Sequence, residues 1–382
     1  MYSSSPLPRL LAALLSLCLL AWAVPSPAAP LSYGLNTMWG PGDSQSLSSR
    51  FRKAKSLGVR SVRLDWEWRQ VEAVRGQYQW QQLDTLVQVA HQEGIELLPI
   101  IHYAPNWAQV AGIKPNDVYE MAPAEAAFDA YARFVKASIK RYGPGGNAGV
   151  PFTPIVHWQI WNEPNLKQFW GPEPNSGSFA WLMRRVQQET ADVRGSIQLV
   201  HAGLSKADVL FLWQLWEADS AYGNTFDVMA VHPYVFDWRD GIRQPDAMDA
   251  DQPQFAPLGV VGSVTDPGYL GKVFNLQLLM TLKGSPKPIW ITEMGYIVGS
   301  QHLGLTEQGA ADRMQTTLQF ILSRLTVIPY GIGIRNLAAN VQRVYWFALE
   351  DYPSPDGMGT FGFYRQDGSE RPAASMFRSF TH

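Results

Sequence analysis

The chain has 382 residues, 46% of them hydrophobic and 17% charged, with a net charge of −2. This is a globular composition with enough length for a large core, and it has no basic excess to gather phosphates, which sets nucleic acid aside as a partner. Its single cysteine, Cys18, lies in an apolar N-terminal run, so the rest of the chain has no thiol for a disulfide, a thiolate metal site or a nucleophile.

Arg9, the apolar run Leu10 to Val24 and the small residues Ser26-Pro27-Ala28-Ala29 read as a secretory signal over residues 1–29. The run is short for a spanning helix, which needs about 20 apolar residues. Left uncleaved, it would tether the protein to a membrane; cleaved, it leaves a single domain over residues 30–382. A bacterial periplasmic or secreted address fits this start. No Asn-x-Ser/Thr sequon appears, so N-glycosylation is not expected.

From there, short apolar runs alternate with helical patterns. The runs are Ser32–Asn36, Val59–Asp65, Ile95–Ile101, the stretch from Ile155 to Trp161, Ile197–Gly203, Phe226–Tyr234, Lys287–Tyr296 and Arg343–Glu350. The helices between them are expected near 46–57, 81–92, 123–142, 178–194, 207–222, 268–282, 307–325 and 334–340, with a last one at 372–380. Gly58, Gly94 and the Gly143-Pro144 pair close three of them. An irregular stretch rich in Asp, Gln, Pro and Gly fills 237–266.

Alternation of this kind implies a parallel sheet with crossover helices. Eight units in about 350 residues predict an α/β fold, a (β/α)8 TIM barrel in one domain with long βα loops. An open doubly wound sheet is the alternative, but no Gly-rich phosphate loop follows the first run.

The run IVHWQIWNEP ends at Asn162-Glu163-Pro164, where Pro164 stops the strand. Glu163 is thereby placed at the carboxyl end of a buried strand beside Trp158 and Trp161. Desolvation there favours the neutral acid, which is what a proton donor needs; a salt-bridged strand end is the plainer reading. Glu293, in IWITEMGY, ends the seventh run, 130 positions later. A barrel puts such residues at one mouth, formed by the carboxyl ends of its strands.

WNEPNLKQFW resembles the retaining glycoside hydrolases of clan A, most closely family 39, which includes β-xylosidases, α-iduronidases and bacterial exopolysaccharide hydrolases. Family 5 cellulase-like enzymes share the shorter Asn-Glu-Pro and are the nearest rival. The resemblance implies that Glu163 is the acid/base and Glu293 the nucleophile. It also implies that Asn162 bonds the sugar 2-hydroxyl, although Asn162 reads equally as a strand-end cap, and it places an aromatic platform at Trp346 on strand eight.

Among the other residues at the strand ends, Tyr234 can donate to the nucleophile carboxylate, and His232 can bind a sugar hydroxyl or sit in the core. Arg63 can hold Glu293 ionised or pair with Asp65. His102, Tyr103, Trp107, Trp39, Trp66 and Asn36 are sugar-contact candidates, each of which core packing explains as well.

No His-x-His, His-Glu-x-x-His, EF-hand loop or Gly-x-Ser-x-Gly elbow appears, so no metal or other cofactor is expected. The reading is a retaining O-glycosidase, acting as a monomer on an oligo- or polysaccharide, with a bacterial exopolysaccharide preferred because of the envelope address. A carbohydrate-binding protein on a dead barrel and a tethered polysaccharide-export scaffold are the rivals.

Overall fold

The structure, a computed structural model, describes residues 30–37, 44–110, 122–234, 270–299, 305–326, 339–354 and 359–382. The signal-like segment 1–29, Trp39, the stretch 237–266 and most of the helix expected at 334–340 lie outside the described residues. Among the described residues no helix is long and apolar enough to cross a membrane.

The described residues form nine strands, all parallel: β1 Ser32–Asn36, β2 Ser61–Glu67, β3 Glu96–His102, β4 His157–Ile160, β5 Gln198–Val200, β6 Leu204–Ser205, β7 Met229–His232, β8 Ile289–Met294 and β9 Val341–Trp346. Their order is β5-β4-β3-β2-β1-β9-β8-β7-β6. β5 lies within the predicted fifth run and β6 just beyond its expected end at Gly203, and the two meet across the ends of that order. Val200 bridges to Val228 and Gly203 to Asn162. The His201 N–H donates to the Val228 carbonyl at 2.8 Å and the Glu163 N–H to the Gly203 carbonyl at 3.1 Å. The sheet therefore curls onto itself as eight barrel positions, with position five broken at His201-Ala202-Gly203.

Strand β2 shows why the sequence folds this way. Its side chains alternate across the sheet. Val62, Leu64 and Trp66 are apolar and buried; Trp66 meets Tyr142 and Trp158 edge-on and donates to Ser138 on the helix Phe128–Tyr142. The intervening residues Ser61 and Arg63 face the interior, where Ser61 bonds the Tyr345 hydroxyl at 2.9 Å. A small interior cluster of Leu98, Val200, Val228, Ala230, Trp290 and Tyr345 fills the waist of the barrel. Below it Arg343 bonds Glu96 at 2.8 Å and lies 4.4 Å from the Trp290 ring.

Helix boundaries differ from expectation, in one case because the backbone turns left-handed. Lys206 and Ala207 have φ of 59° and 47°, so the predicted helix 207–222 starts only at Val209, capped by Asp208, and ends at Ala218. The helix expected from 123 begins at Phe128 after a short turn at Glu125–Ala127, and the one expected to reach 194 stops at Glu189.

Candidate active site

Arg63, an inward side chain of β2 below the mouth, sets the geometry. Arg63 is 1% exposed. Its Nε donates to Gln159 Oε1 at 2.7 Å, its Nη2 to Asn162 Oδ1 at 2.8 Å, and its Nη1 to Asn36 Oδ1 at 2.8 Å and Glu293 Oε1 at 2.6 Å. One guanidinium thus ties β1, β2, β4 and β8 together. Of the two readings of Arg63, its pairing with Glu293 is the one observed; Asp65 pairs instead with His102 Nε2 at 2.9 Å.

Glu293 reaches this point because of an irregularity in β8. Ile291 pairs with Val344 and Met294 with Trp346, so three steps on β8 face two on β9. The extra residue breaks the alternation, and both Thr292 and Glu293 turn inward, the re-aiming that a bulge produces. On β4 the same result comes from backbone twists. Trp161 and Glu163 have φ of 69° and 39°, which bring Asn162 and Glu163 to the mouth in succession. Each such twist at a non-glycine residue costs about 1–3 kcal/mol and persists only where its surroundings hold it.

The two glutamates have different neighbours. Glu293 receives Arg63 and the Tyr234 hydroxyl, the latter at 3.1 Å. Burial alone would raise its carboxyl; the fields of His232 and Arg63 and the hydrogen bonds from Arg63 and Tyr234 outweigh burial and hold it below the usual carboxylate range. Burial, then the charges of Glu293 and Glu163, push the Tyr234 phenol well above its usual value, so it stays a neutral donor. Among the described residues Glu163 has no Arg or Lys partner and contacts the His232 ring, with Nδ1 to Oε1 at 2.8 Å. His232 is fully buried; its Nε2 lies 3.0 Å from the Thr292 hydroxyl and 3.6 Å from Glu293 Oε1. Gly203 makes room for that ring, since a Cβ there would lie 2.0 Å from Nε2.

An oxygen of Glu163, a ring nitrogen of His232 and an oxygen of Glu293 all lie within 4.8 Å of one another. Among the described residues this is the one group with enough ligand atoms for a metal ion. The buried Arg63 guanidinium already supplies positive charge to Glu293, so hydrogen bonding accounts for the cluster without a metal.

The remaining expectations divide. Asn162 joins the cluster: its carbonyl oxygen is used by Arg63, which leaves its amide N–H groups as the donors it can offer. Asn36 is also there, but its amide is used within the protein, with Oδ1 on Arg63 and Nδ2 on the Thr292 and Tyr345 carbonyls. His232 sits in the core between the two glutamates instead of facing a sugar. His102 is buried on Asp65, with the Tyr103 ring stacked on it at 3.6 Å. Burial pushes Asp65 up, but His102, Arg63 and Arg69 outweigh it and leave the carboxyl lowered.

Trp346 is corrected by the same alternation that places Tyr345 inside. It faces outward, lining a small cavity with Tyr296, Ala310, Met314 and Ala373, and is 3% exposed. The next residue, Phe347, is half-buried and packs on Tyr352 and Phe361. Trp107 belongs to an aromatic wall with Trp68 and donates to the Glu72 carbonyl, and Trp66 is core. Trp158 and Trp161 are buried among other aromatic rings, Trp158 against Trp66 and Trp161 against Tyr131 and Trp170. Their N–H groups go to the Ile155 and Phe169 carbonyls, and the ring that Glu163 meets is His232. Sequence reasoning missed Gln159 and Thr292, polar residues at inward positions of otherwise apolar strands, a signal that was available.

No protein-family model matches the chain, and no curated protein matches it in sequence. Solved structures do. A family 39 glycoside hydrolase from the gut symbiont Bacteroides cellulosilyticus is 20% identical with a TM-score of 0.64, over 92% of this chain and 64% of that one. The chain thus spans just under two thirds of that neighbour's length. A family 5 subfamily 18 protein from Bifidobacterium longum is 15% identical with a TM-score of 0.61, over 92% and 79%. A family 30 subfamily 8 xylanase from Clostridium acetobutylicum is 13% identical with a TM-score of 0.57, over 94% and 73%. The fold is therefore a (β/α)8 barrel, the architecture it shares with these glycoside hydrolases.

Proposed function

We propose that the protein is a retaining O-glycoside hydrolase with Glu293 as nucleophile and Glu163 as acid/base. One observation carries this reading: two carboxylates approach within 4.8 Å at one barrel mouth, and among the described residues the Arg63 guanidinium pairs with Glu293 and not with Glu163. Retaining enzymes hold their carboxyls about 5–5.5 Å apart and inverting ones about 6.5–9.5 Å, because the latter must admit a water between.

In the first step Glu293 forms a bond to the anomeric carbon. The bond from that carbon to the leaving oxygen breaks, and the Glu163 proton moves to that oxygen. Arg63 and Tyr234 keep Glu293 ionised for the attack, while Asn162 offers its N–H groups to the sugar. In the second step Glu163, now a carboxylate, takes a proton from water. The water oxygen bonds the anomeric carbon and the Glu293 ester breaks, so configuration is retained.

The substrate is an oligo- or polysaccharide, with a bacterial exopolysaccharide favoured by the secretory reading of residues 1–29. The run WNEPNLKQFW and the family 39 neighbour support kinship with that family, and the xylanase neighbour makes xylosides a sensible first probe. The test is product NMR at early times together with a fluorosugar glycoside as trap. The expected result is the starting anomer and an ester on Glu293. Early release of the opposite anomer, or a label on Glu163, overturns the mechanism.

A further inference from the structure

Glu163 is held in a left-handed backbone conformation, and something must hold it there. Its own N–H bonds the Gly203 carbonyl, and its side chain bonds His232. Pro164 has no N–H to contribute. The next residue, Asn165, uses its whole amide on the facing loop. Its Oδ1 accepts from the Ser205 N–H at 3.1 Å, and its Nδ2 donates to the Ser205 carbonyl at 3.0 Å and to Asp208 Oδ2 at 3.3 Å. The side chain thus pairs with one residue of β6 as a strand backbone would.

Ser205 is followed by Lys206, itself at φ 59°, whose N–H donates to the His232 carbonyl at 2.9 Å. Ser205 and His232 are also register partners between β6 and β7. A closed ring results: Glu163, Asn165, Ser205, Lys206, His232 and back to Glu163 through the 2.8 Å ring contact. Of that ring only His232 also comes near Glu293, with Nε2 3.6 Å from Oε1, a longer approach than its 2.8 Å contact with Glu163. The nucleophile is held from the other side, by Arg63 and Tyr234.

We infer that Asn165 is a positioning residue for the acid/base. By fixing the Ser205–Lys206 turn, it sets where His232 presents its ring and therefore where the Glu163 carboxyl points. This inference rests on the proposed glycosidase mechanism and assigns Asn165 to one half of it, proton transfer, and not to nucleophilic attack.

The two halves separate experimentally through the leaving group. A dinitrophenyl leaving group departs without a proton; a phenyl or alkyl group needs one. Asn165→Ala is to be compared with wild type on dinitrophenyl and phenyl glycosides of whichever sugar the wild type accepts. The fluorosugar trapping rate at Glu293 is measured alongside. Expected is a fall of roughly 10- to 100-fold on the phenyl glycoside, and of less than about threefold on both the dinitrophenyl glycoside and the trapping rate. Asn165→Asp keeps an acceptor for the Ser205 N–H but sets a charge against Asp208; it serves if Asn165→Ala does not fold, and it should fall in the same selective way.

Equal losses on both substrates in the folded variant, or no loss on either, overturn the inference. A wild type that hydrolyses no glycoside at all overturns the glycosidase reading itself, which keeps the two failures apart.

Discussion

Arg63→Met removes a guanidinium of nearly the same length and leaves an apolar chain in its place. Four acceptors lose their donor: Gln159, Asn36, Asn162 and Glu293, bonded in the intact protein at 2.6–2.8 Å. Breaking a buried ion pair by deleting one partner costs about 3–5 kcal/mol, because the other charge is left uncompensated. Glu293 keeps 15% of its side chain exposed, so the lower end applies, about 3 kcal/mol. At roughly 2 °C per kcal/mol for a large domain, Tm should fall by about 6 °C. The sign of the pH effect follows from the same pair. Glu293 is held below its usual range, so its contribution to stability is present above the unfolded value and fades as pH falls through the folded one. Without Arg63 its carboxyl rises, and the acidic limb of kcat/KM should move to higher pH. The rate of fluorosugar trapping, read across pH, reports Glu293 without involving Glu163. Arg63→Lys keeps a charge but not the fork, and should move the limb less while still losing activity, since one ammonium cannot hold Asn36, Asn162 and Gln159 in register. An acidic limb unmoved in Arg63→Met, with Tm unchanged, would refute the reasoning.

Glu163→Gln should lower turnover of unactivated glycans by about 10²- to 10⁴-fold while dinitrophenyl glycosides still label Glu293; near-normal turnover of the natural glycan would sink its assignment. EDTA should change neither the melting curve nor the rate, because Arg63 supplies the positive charge at the one metal-capable cluster described, and a loss restored by a divalent ion would show otherwise. His201, buried against Phe179, Phe226 and the Tyr222 hydroxyl, is pushed by burial from 6.5 down to about 4. The unfolded chain therefore takes a proton that the folded one refuses, and stability should drop by about 3 kcal/mol as pH falls from 6.5 to 4. Denaturant midpoints for His201→Gln should show a flatter slope over that range, and parallel slopes would count against it.

The fold was legible because a parallel barrel repeats one simple instruction. Each strand has an outward face that must be apolar to meet its helix, and Val62, Leu64 and Trp66 of β2 state that directly. Helix stops at Gly58, Gly94 and Gly143 mark where the chain must turn back. The split of the fifth strand was not legible. It ends at Gly203, where a Cβ would meet the His232 ring, a contact between residues 29 apart that no local pattern encodes.

The site was legible in kind but not in aim. Glu163 and Glu293 stand at strand ends, and residue type with position is enough to nominate them. Which way a side chain points at the mouth depends on period two surviving to the last residue, and here it does not. The β8 bulge turns Glu293 inward, and the left-handed turns at Trp161 and Glu163 do the same on β4. Where the alternation is intact, as in β9, parity sends Trp346 to the helices. Aromatic residues at strand ends are therefore poor guides to a sugar platform. Polar residues at inward positions below the mouth are better ones, because burial obliges each to find a partner. Arg63 meets Gln159, Asn36 and Asn162 in the same arrangement that fixes Glu293. The network beneath the glutamates, more than the glutamates themselves, is what the sequence commits to this geometry.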